Sequence, residues 1–329
     1  MTSVGSELVS RLDGLLFFPV TPFHRLDDGR AAGVDLDAFA SHVASRVDLR
    51  DTPIGGPAAV FAACGTGEFW TLRLDEYTDV VRTAVATAAG RVPVIAGVGY
   101  GVEIAKGYAA AAEAAGADGL LVLPPYLVNG TQAGLRDHYT AVAAATSLDI
   151  IIYQRDNAIF TPESAAELAG VPNIVGFKEG KGDVDLMQRI VSAVRQRHGY
   201  DALHFLNGLP TAELSQLAYA GVGVTNYSSA AFCFAPDIAM AFYSAYRNHD
   251  AVLTAELIDR FYKPLVELRN QGVGYAVSLV KAGVRLDGLD VGPVRPPLSE
   301  ARPDHVEQLA GLIADGRRVL VEHGVVVAA

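Results

Sequence analysis

Eight times in succession along this chain, a short run of apolar, β-branched residues gives way to an alanine-rich stretch with helical spacing. The strand-like runs cover residues 15–20, 58–63, 92–98, 119–123, 150–153, 174–178, 204–207 and 222–225. The helical stretches cover 35–47, 71–89, 103–115, 132–145, 162–169, 184–195, 211–220 and 231–248, with apolar residues recurring near every 3.6 positions. Thr71 is a candidate N-cap for the second helix and Gly90 its stop. The strand runs are continuously apolar, as expected when both faces of a sheet are covered. Eight βα units in about 230 residues, with no linker between them, predict an α/β fold of the parallel (β/α)8 TIM-barrel type over a doubly wound sheet. Three further helical stretches follow at 251–269, 273–284 and 304–323, with a proline-rich break at 293–297. The expected organisation is a barrel over 1–248 and a helical extension, 249–329, packed on it.

Composition narrows the partners. Half of the 329 residues are apolar and 19% are charged, so a large core is available and disorder is excluded as the main state. The net charge of −11 opposes binding to nucleic acid or to an anionic membrane surface. No apolar run reaches the ~18 residues of a membrane helix. The first ten residues hold neither a basic region nor an apolar segment, so a secretory signal is not expected and a cytoplasmic location is. Cys64 and Cys233 make no metal or redox motif, the eight histidines are scattered, and no nucleotide-binding glycine loop is present. The expectation is a small-molecule site with neither metal nor cofactor.

In a (β/α)8 barrel that site lies at the C-terminal ends of the strands. Only five of the 26 basic residues are lysine, and Lys178 alone closes a strand-like run. An amine held in an apolar barrel mouth loses solvation, which favours its neutral, nucleophilic form and suits it to Schiff-base chemistry. The alternative is a snorkelling or ion-paired lysine with Glu179 nearby. Tyr153 ends the preceding strand and should neighbour Lys178, where a phenol can carry protons; alone it reads equally as an amphipathic aromatic. Gly65-Thr66-Gly67-Glu68 reads as a small-residue turn leading into a helix, with backbone N–H groups and a hydroxyl suited to a carboxylate. It also reads as a plain βα turn. His204 opens a strand at the end away from the site and reads as structural. Arg295-Pro296-Pro297-Leu298 reads as a rigid, extended link without chemistry of its own.

Several of these segments together resemble a known family. Phe18-Pro19-Val20-Thr21-Pro22-Phe23, Gly65-Thr66-Gly67-Glu68, the tyrosine ending strand 5, and Pro172-Asn173-Ile174-Val175-Gly176-Phe177-Lys178-Glu179 resemble the dihydrodipicolinate synthase and N-acetylneuraminate lyase superfamily. The likeness runs from about Leu15 to Leu298. It implies a (β/α)8 barrel with C-terminal helices, a homotetramer, and a lysine Schiff base with a 2-oxo acid. It further implies Lys178 as the Schiff-base lysine, Tyr153 as the proton carrier and Gly65-Thr66, with Gly67, as the carboxylate cradle.

The departures narrow the resemblance. Dihydrodipicolinate synthases carry two threonines in the strand 2 turn, where this chain has Gly65, and paired tyrosines after strand 4, where Tyr126 is followed by Leu127. Tyr153-Gln154-Arg155-Asp156-Asn157, with Gly65-Thr66-Gly67-Glu68-Phe69 and Leu123-Pro124-Pro125-Tyr126-Leu127, resembles the 5-dehydro-4-deoxyglucarate dehydratases. Those enzymes remove water and CO2 from a sugar diacid to give 2,5-dioxopentanoate without a cofactor. Arg155, Asn157, Asn207, Ser228 and Ser229 are then candidates to hold the distal carboxylate and the hydroxyls. An aldolase acting on a 2-oxo sugar acid would share Lys178 and Tyr153. A barrel that binds sugar acids without turnover would require neither.

Overall fold

The structure, a computed structural model, describes residues 7–326. Eight parallel strands close a barrel in sequence order: β1 (Leu16–Phe17), then, past a hairpin of β2 (Phe23–Arg25) and β3 (Ala31–Val34), β4 (Ala59–Ala62), β5 (Val94–Val98), β6 (Gly119–Val122), β7 (Asp149–Gln154), β8 (Ile174–Glu179), β9 (His204–Asn207) and β10 (Asn226–Ser229). The ring is completed by β1 pairing with both β4 and β10. The hairpin has no counterpart in the sequence reading, because its strands are only three and four residues long.

Around the barrel lie α2 (Leu36–Val47), α3 (Leu74–Ala88), α4 (Val102–Ala114), α5 (Gln132–Ala143), α6 (Pro162–Leu168), α7 (Val184–His198), α8 (Gln216–Gly221) and α9 (Pro236–Arg247), preceded at the N-terminus by the short α1 (Glu7–Ser10). Four of these eight starts are fixed by a side-chain cap. Asp35, Thr131, Thr161 and Asp183 each accept a backbone N–H from the first turn of the helix they precede. The second helix departs from its expected start at Thr71. Glu68 adopts φ 54°, a 3-10 turn occupies Phe69–Thr71, and α3 begins only at Leu74, where Glu76 reaches back to the Arg73 amide at 3.1 Å.

The eighth strand also lies elsewhere than the apolar run at 222–225. That run is the unwinding end of α8: Gly223 takes φ 92° and the Val224 amide returns to the Tyr219 carbonyl at 3.0 Å. Asn226–Ser229, expected as the loop after the strand, is the strand itself, in register with Leu16 and Phe17. Asn226 and Ser229 find hydrogen-bond partners inside the fold, which is how polar residues fill buried strand positions.

Alternation splits the strand side chains into two buried groups. Leu16, Phe61, Ile95, Leu121, Ile151 and Leu206 pack inside the barrel with Leu8 and Leu12 from the N-terminal segment. Asn226 donates to the carbonyls of Leu12 and Gly14 at 2.6 and 3.1 Å, fixing that plug at the N-terminal end. His204 lies half-buried nearby, and loss of solvent around its ring pushes the imidazole down to about 4, so it stays neutral. The outward side chains pack under the helices.

Beyond α9 the chain runs through α10 (Ala251–Leu257), a π-helical turn (Ile258–Tyr262), α11 (Lys263–Arg269), α12 (Tyr275–Leu286) and α13 (Pro303–Glu322). Arg317 of α13 bonds Asp237 of α9 at 2.9 Å, and Arg46 of α2 bonds Asp287 at 2.5 Å. Among the described residues no helix is long and apolar enough to cross a membrane.

Candidate active site

Strands β7 and β8 bring the two central side chains together through an irregularity. Ile150 pairs with Ile174, but Ile151 pairs with Gly176, so Val175 is an extra residue on β8. This bulge lets Ile174 and Phe177 both face the helical layer, and turns Lys178 inward beside Tyr153, its register partner. Gly176 permits the approach, since a Cβ there would lie 2.9 Å from Ile151 Cγ1.

Lys178 is 4% exposed, and its Nζ lies 3.9 Å from the Tyr153 ring centroid and 4.8 Å from that of Phe18. The Gly208 carbonyl accepts from both central groups, from Tyr153 Oη at 3.0 Å and from Lys178 Nζ at 3.4 Å. Burial by itself would raise the Tyr153 phenol, but the charges of Lys178 and Arg155, with a hydrogen bond from Arg155, outweigh it and hold the phenol below its ordinary range. The pair therefore offers an amine and an acidified phenol at one point, the equipment for carbonyl condensation with proton transfer.

These groups sit in a cavity of about 700 Å³ at the C-terminal ends of the strands. Lys178, Tyr153, Gly65, Thr66, Arg155, Asn157 and Ser228 all line it. Three other expected residues do not. The Gly67 carbonyl turns back to accept from Thr21 Oγ1 at 2.7 Å. Asn207 spends its amide on Ala212 O, Ser215 Oγ and Gln216 Oε1 and accepts from the Leu209 amide, so it braces the segment after β9. Ser229 points away from the cavity, donating to Glu213 Oε1 at 2.5 Å. Strand alternation explains the last case, because adjacent Ser228 and Ser229 must face opposite sides. Asn157 lines the cavity, yet its Nδ2 donates to Pro125 O and Val128 O at 2.8 and 2.7 Å and so clasps the loop after β6. The strand 2 turn does not lead directly into an α-helix, since α3 starts six residues after Glu68, so no α-helix dipole assists a carboxylate there. Among the described residues no three His, Cys, Asp or Glu side chains converge on a metal-sized site.

The cavity also draws on residues that sequence reasoning passed over. Phe18, Trp70, Tyr100 and Leu123 form apolar walls, and Ala276 and Val277 of α12 close one side. Gly208 is the most consequential. A Cβ at this position would lie 2.6 Å from Lys178 Cγ and 2.7 Å from Nζ, so only glycine leaves room for the lysine. Its one sequence signal is a glycine immediately after a predicted strand end.

A closed eight-stranded parallel barrel with a buried lysine and tyrosine facing one cavity at the strand C-termini has the layout of a barrel enzyme. Residues 11–315 match the dihydrodipicolinate synthetase family, and the chain belongs to that family. It is 59% identical over 311 residues to a protein of Streptomyces griseus named "Probable 5-dehydro-4-deoxyglucarate dehydratase", covering 94% of this chain and 93% of that one. A Bradyrhizobium diazoefficiens protein of the same name is 46% identical, with 91% of each chain covered. The fold matches the crystal structure of dihydrodipicolinate synthase from Bacillus clausii with a TM-score of 0.82 at 24% identity, over 94% of this chain and 99% of the other.

Proposed function

We propose that this chain is a decarboxylating hydro-lyase that converts 5-dehydro-4-deoxy-D-glucarate to 2,5-dioxopentanoate, CO2 and water through a Schiff base on Lys178. The observation that carries this reading is the joint hold of the Gly208 carbonyl on Lys178 and Tyr153 inside one cavity. Support for the substrate comes from relatives of that name at 46–59% identity.

Lys178 Nζ attacks the 2-oxo carbon, and Tyr153 moves protons to the carbinolamine oxygen, which leaves as water. The resulting iminium acidifies the adjacent methylene, so loss of a proton gives an enamine that expels the β-hydroxyl as water. The product is an unsaturated iminium conjugated to the carbon that bears the far carboxylate. Breaking the bond to that carboxylate releases CO2 and sends its electron pair through the conjugated system to nitrogen. Reprotonation and hydrolysis return the lysine and one 2,5-dioxopentanoate.

Gly65 and Thr66 serve as the cradle for the carboxylate beside the imine. Among the described residues Arg155 is, besides Lys178, the one cationic side chain lining the cavity, and it is the partner for the distal carboxylate, with Ser228 facing the substrate chain. Asn157 acts through the loop it clasps. We further propose a barrel unit over 1–248 with an extension, 249–329, a cytoplasmic location, and a homotetramer. Trp70, Tyr126, Leu127 and Val128, exposed by 42–78%, supply apolar surface for subunit contacts.

The test is to incubate the protein with the keto-deoxy diacid, with and without borohydride. The reading requires CO2 and a 2,5-dioxo acid in one arm and a reduced adduct on Lys178 in the other. Free pyruvate would indicate an aldolase. Binding without turnover or adduct would indicate a sensor.

A further inference from the structure

Glu68 ends the turn that carries Gly65 and Thr66, and its carboxylate is fully buried. Its φ of 54° is one that side-chain-bearing residues keep only where their surroundings hold them. The hold comes from the far end of the chain. Lys281 Nζ of α12 lies 2.7 Å from Glu68 Oε1, and the Arg295 amide donates to Oε2 at 2.8 Å. Lys281 is also fully buried, donates to Pro293 O at 2.8 Å and lies 4.1 Å from the Phe23 ring centroid. The Arg295 guanidinium packs 4.2 Å from the same ring and donates to both oxygens of Glu76, at 2.8 and 2.6 Å. Two carboxylates and two cations thus balance in one network that joins the strand 2 turn, α3, α12 and the link before α13.

Lys281 does not line the cavity, so it cannot touch substrate. It stands one helical turn beyond Val277, which does line it, on the same face of α12. A buried carboxylate behind a site meant for another carboxylate would repel it. Lys281 cancels that charge, and together with the Arg295 amide it fixes the turn's conformation. Burial works against both charges, pushing the Lys281 ammonium down to about 8 and the Glu68 carboxyl up, so each depends on the other to stay ionised.

We propose that Glu68 and Lys281 form a positioning pair through which α12 sets the Gly65–Thr66 cradle, so that barrel and C-terminal extension build the 2-oxo acid site jointly. This rests on the reading of Gly65 and Thr66 as that cradle.

The experiment compares the wild-type full chain with Lys281→Met, Glu68→Gln and the double variant. Borohydride trapping is measured against the concentration of pyruvate and of the keto-deoxy diacid, beside thermal unfolding. For the single variants, the half-saturating concentration is expected to rise about tenfold or more, the scale set by small misplacements of a binding group. The maximal trapping rate should stay within about threefold, and the double variant should lose less than the two singles combined. Lower melting temperatures with wild-type half-saturation would overturn the proposal and leave the pair merely structural. If Lys281→Met does not fold, the double variant, which leaves no charge unpaired, decides by the same readout against Glu68→Gln. A wild type that forms no adduct with either acid would instead overturn the Schiff-base reading, and this inference with it.

Discussion

Tyr153 and Lys178 face each other across the β7–β8 ladder one residue out of the register with which that ladder begins. Had Ile150 and Ile174 set the pairing throughout, Tyr153 would stand beside Phe177, and the lysine would belong to the outer face. The extra residue, Val175, is what brings amine and phenol over the same cavity, and the Gly208 carbonyl then holds both.

Tyr153→Phe keeps the ring that packs against Lys178 and removes only the hydroxyl. We expect the folded protein to lose roughly 10²–10⁴-fold in kcat, the range of general acid–base catalysis. Borohydride trapping should slow in parallel, because carbinolamine breakdown needs the same proton. Steady-state turnover equal to that of the wild type would remove Tyr153 from the mechanism.

Gly208→Ala adds one methyl group where 2.6 Å separates it from Lys178 Cγ. The lysine must swing aside, and the shared carbonyl must move with the adjusted backbone. We expect a loss of about 10²-fold or more in kcat/KM, with adduct formation reduced to match. Normal trapping by this variant would show that the lysine tolerates displacement.

Condensing pyruvate with an aldehyde needs protons delivered to the second substrate, and Gly65 and Leu127 supply no hydroxyl for this. Leu127 is 78% exposed and bears no polar group toward the cavity, while the space where a Gly65 side chain would begin is open. Negligible condensation of pyruvate with aspartate semialdehyde is expected, against ready CO2 release from 5-dehydro-4-deoxyglucarate. Comparable kcat/KM on the two substrate sets would contradict this assignment of the two positions.

Glu213 gives stability a pH dependence. Burial pushes its carboxyl up to about 7, against the hydrogen bond from Ser229. The folded pKa lies above the unfolded one, so the folded state holds the extra proton between about 4.3 and 7. The stabilisation is therefore complete below the unfolded value and is lost as pH rises through about 7. Glu213→Gln abolishes that loss. Relative to its behaviour at pH 4, the variant should gain up to about 3 kcal/mol on the wild type by pH 8, read by denaturant unfolding at each pH. A difference that does not change with pH would assign the titration to another group.

What the sequence determined by itself is the part of the fold that local physics controls. Apolar runs buried on both faces, alternating with capped amphipathic helices, leave a closed parallel barrel as the arrangement that covers every strand. The same rule places Lys178 and Tyr153 at the catalytic end, since each closes its run. The polar strand Asn226–Ser229 escaped this reading, because its burial depends on partners such as the Leu12 and Gly14 carbonyls, which are remote in the chain. For the same reason Ser228 and Ser229, adjacent and chemically alike, could be separated only by the face each presents. The tertiary structure alone decided that a bulge at Val175 turns Lys178 inward, that a glycine carbonyl after β9 holds two side chains at once, and that Lys281 reaches Glu68 across more than two hundred residues of chain. Register, parity and long-range charge pairing depend on which segments meet, and periodicity along a single segment carries no record of its neighbours.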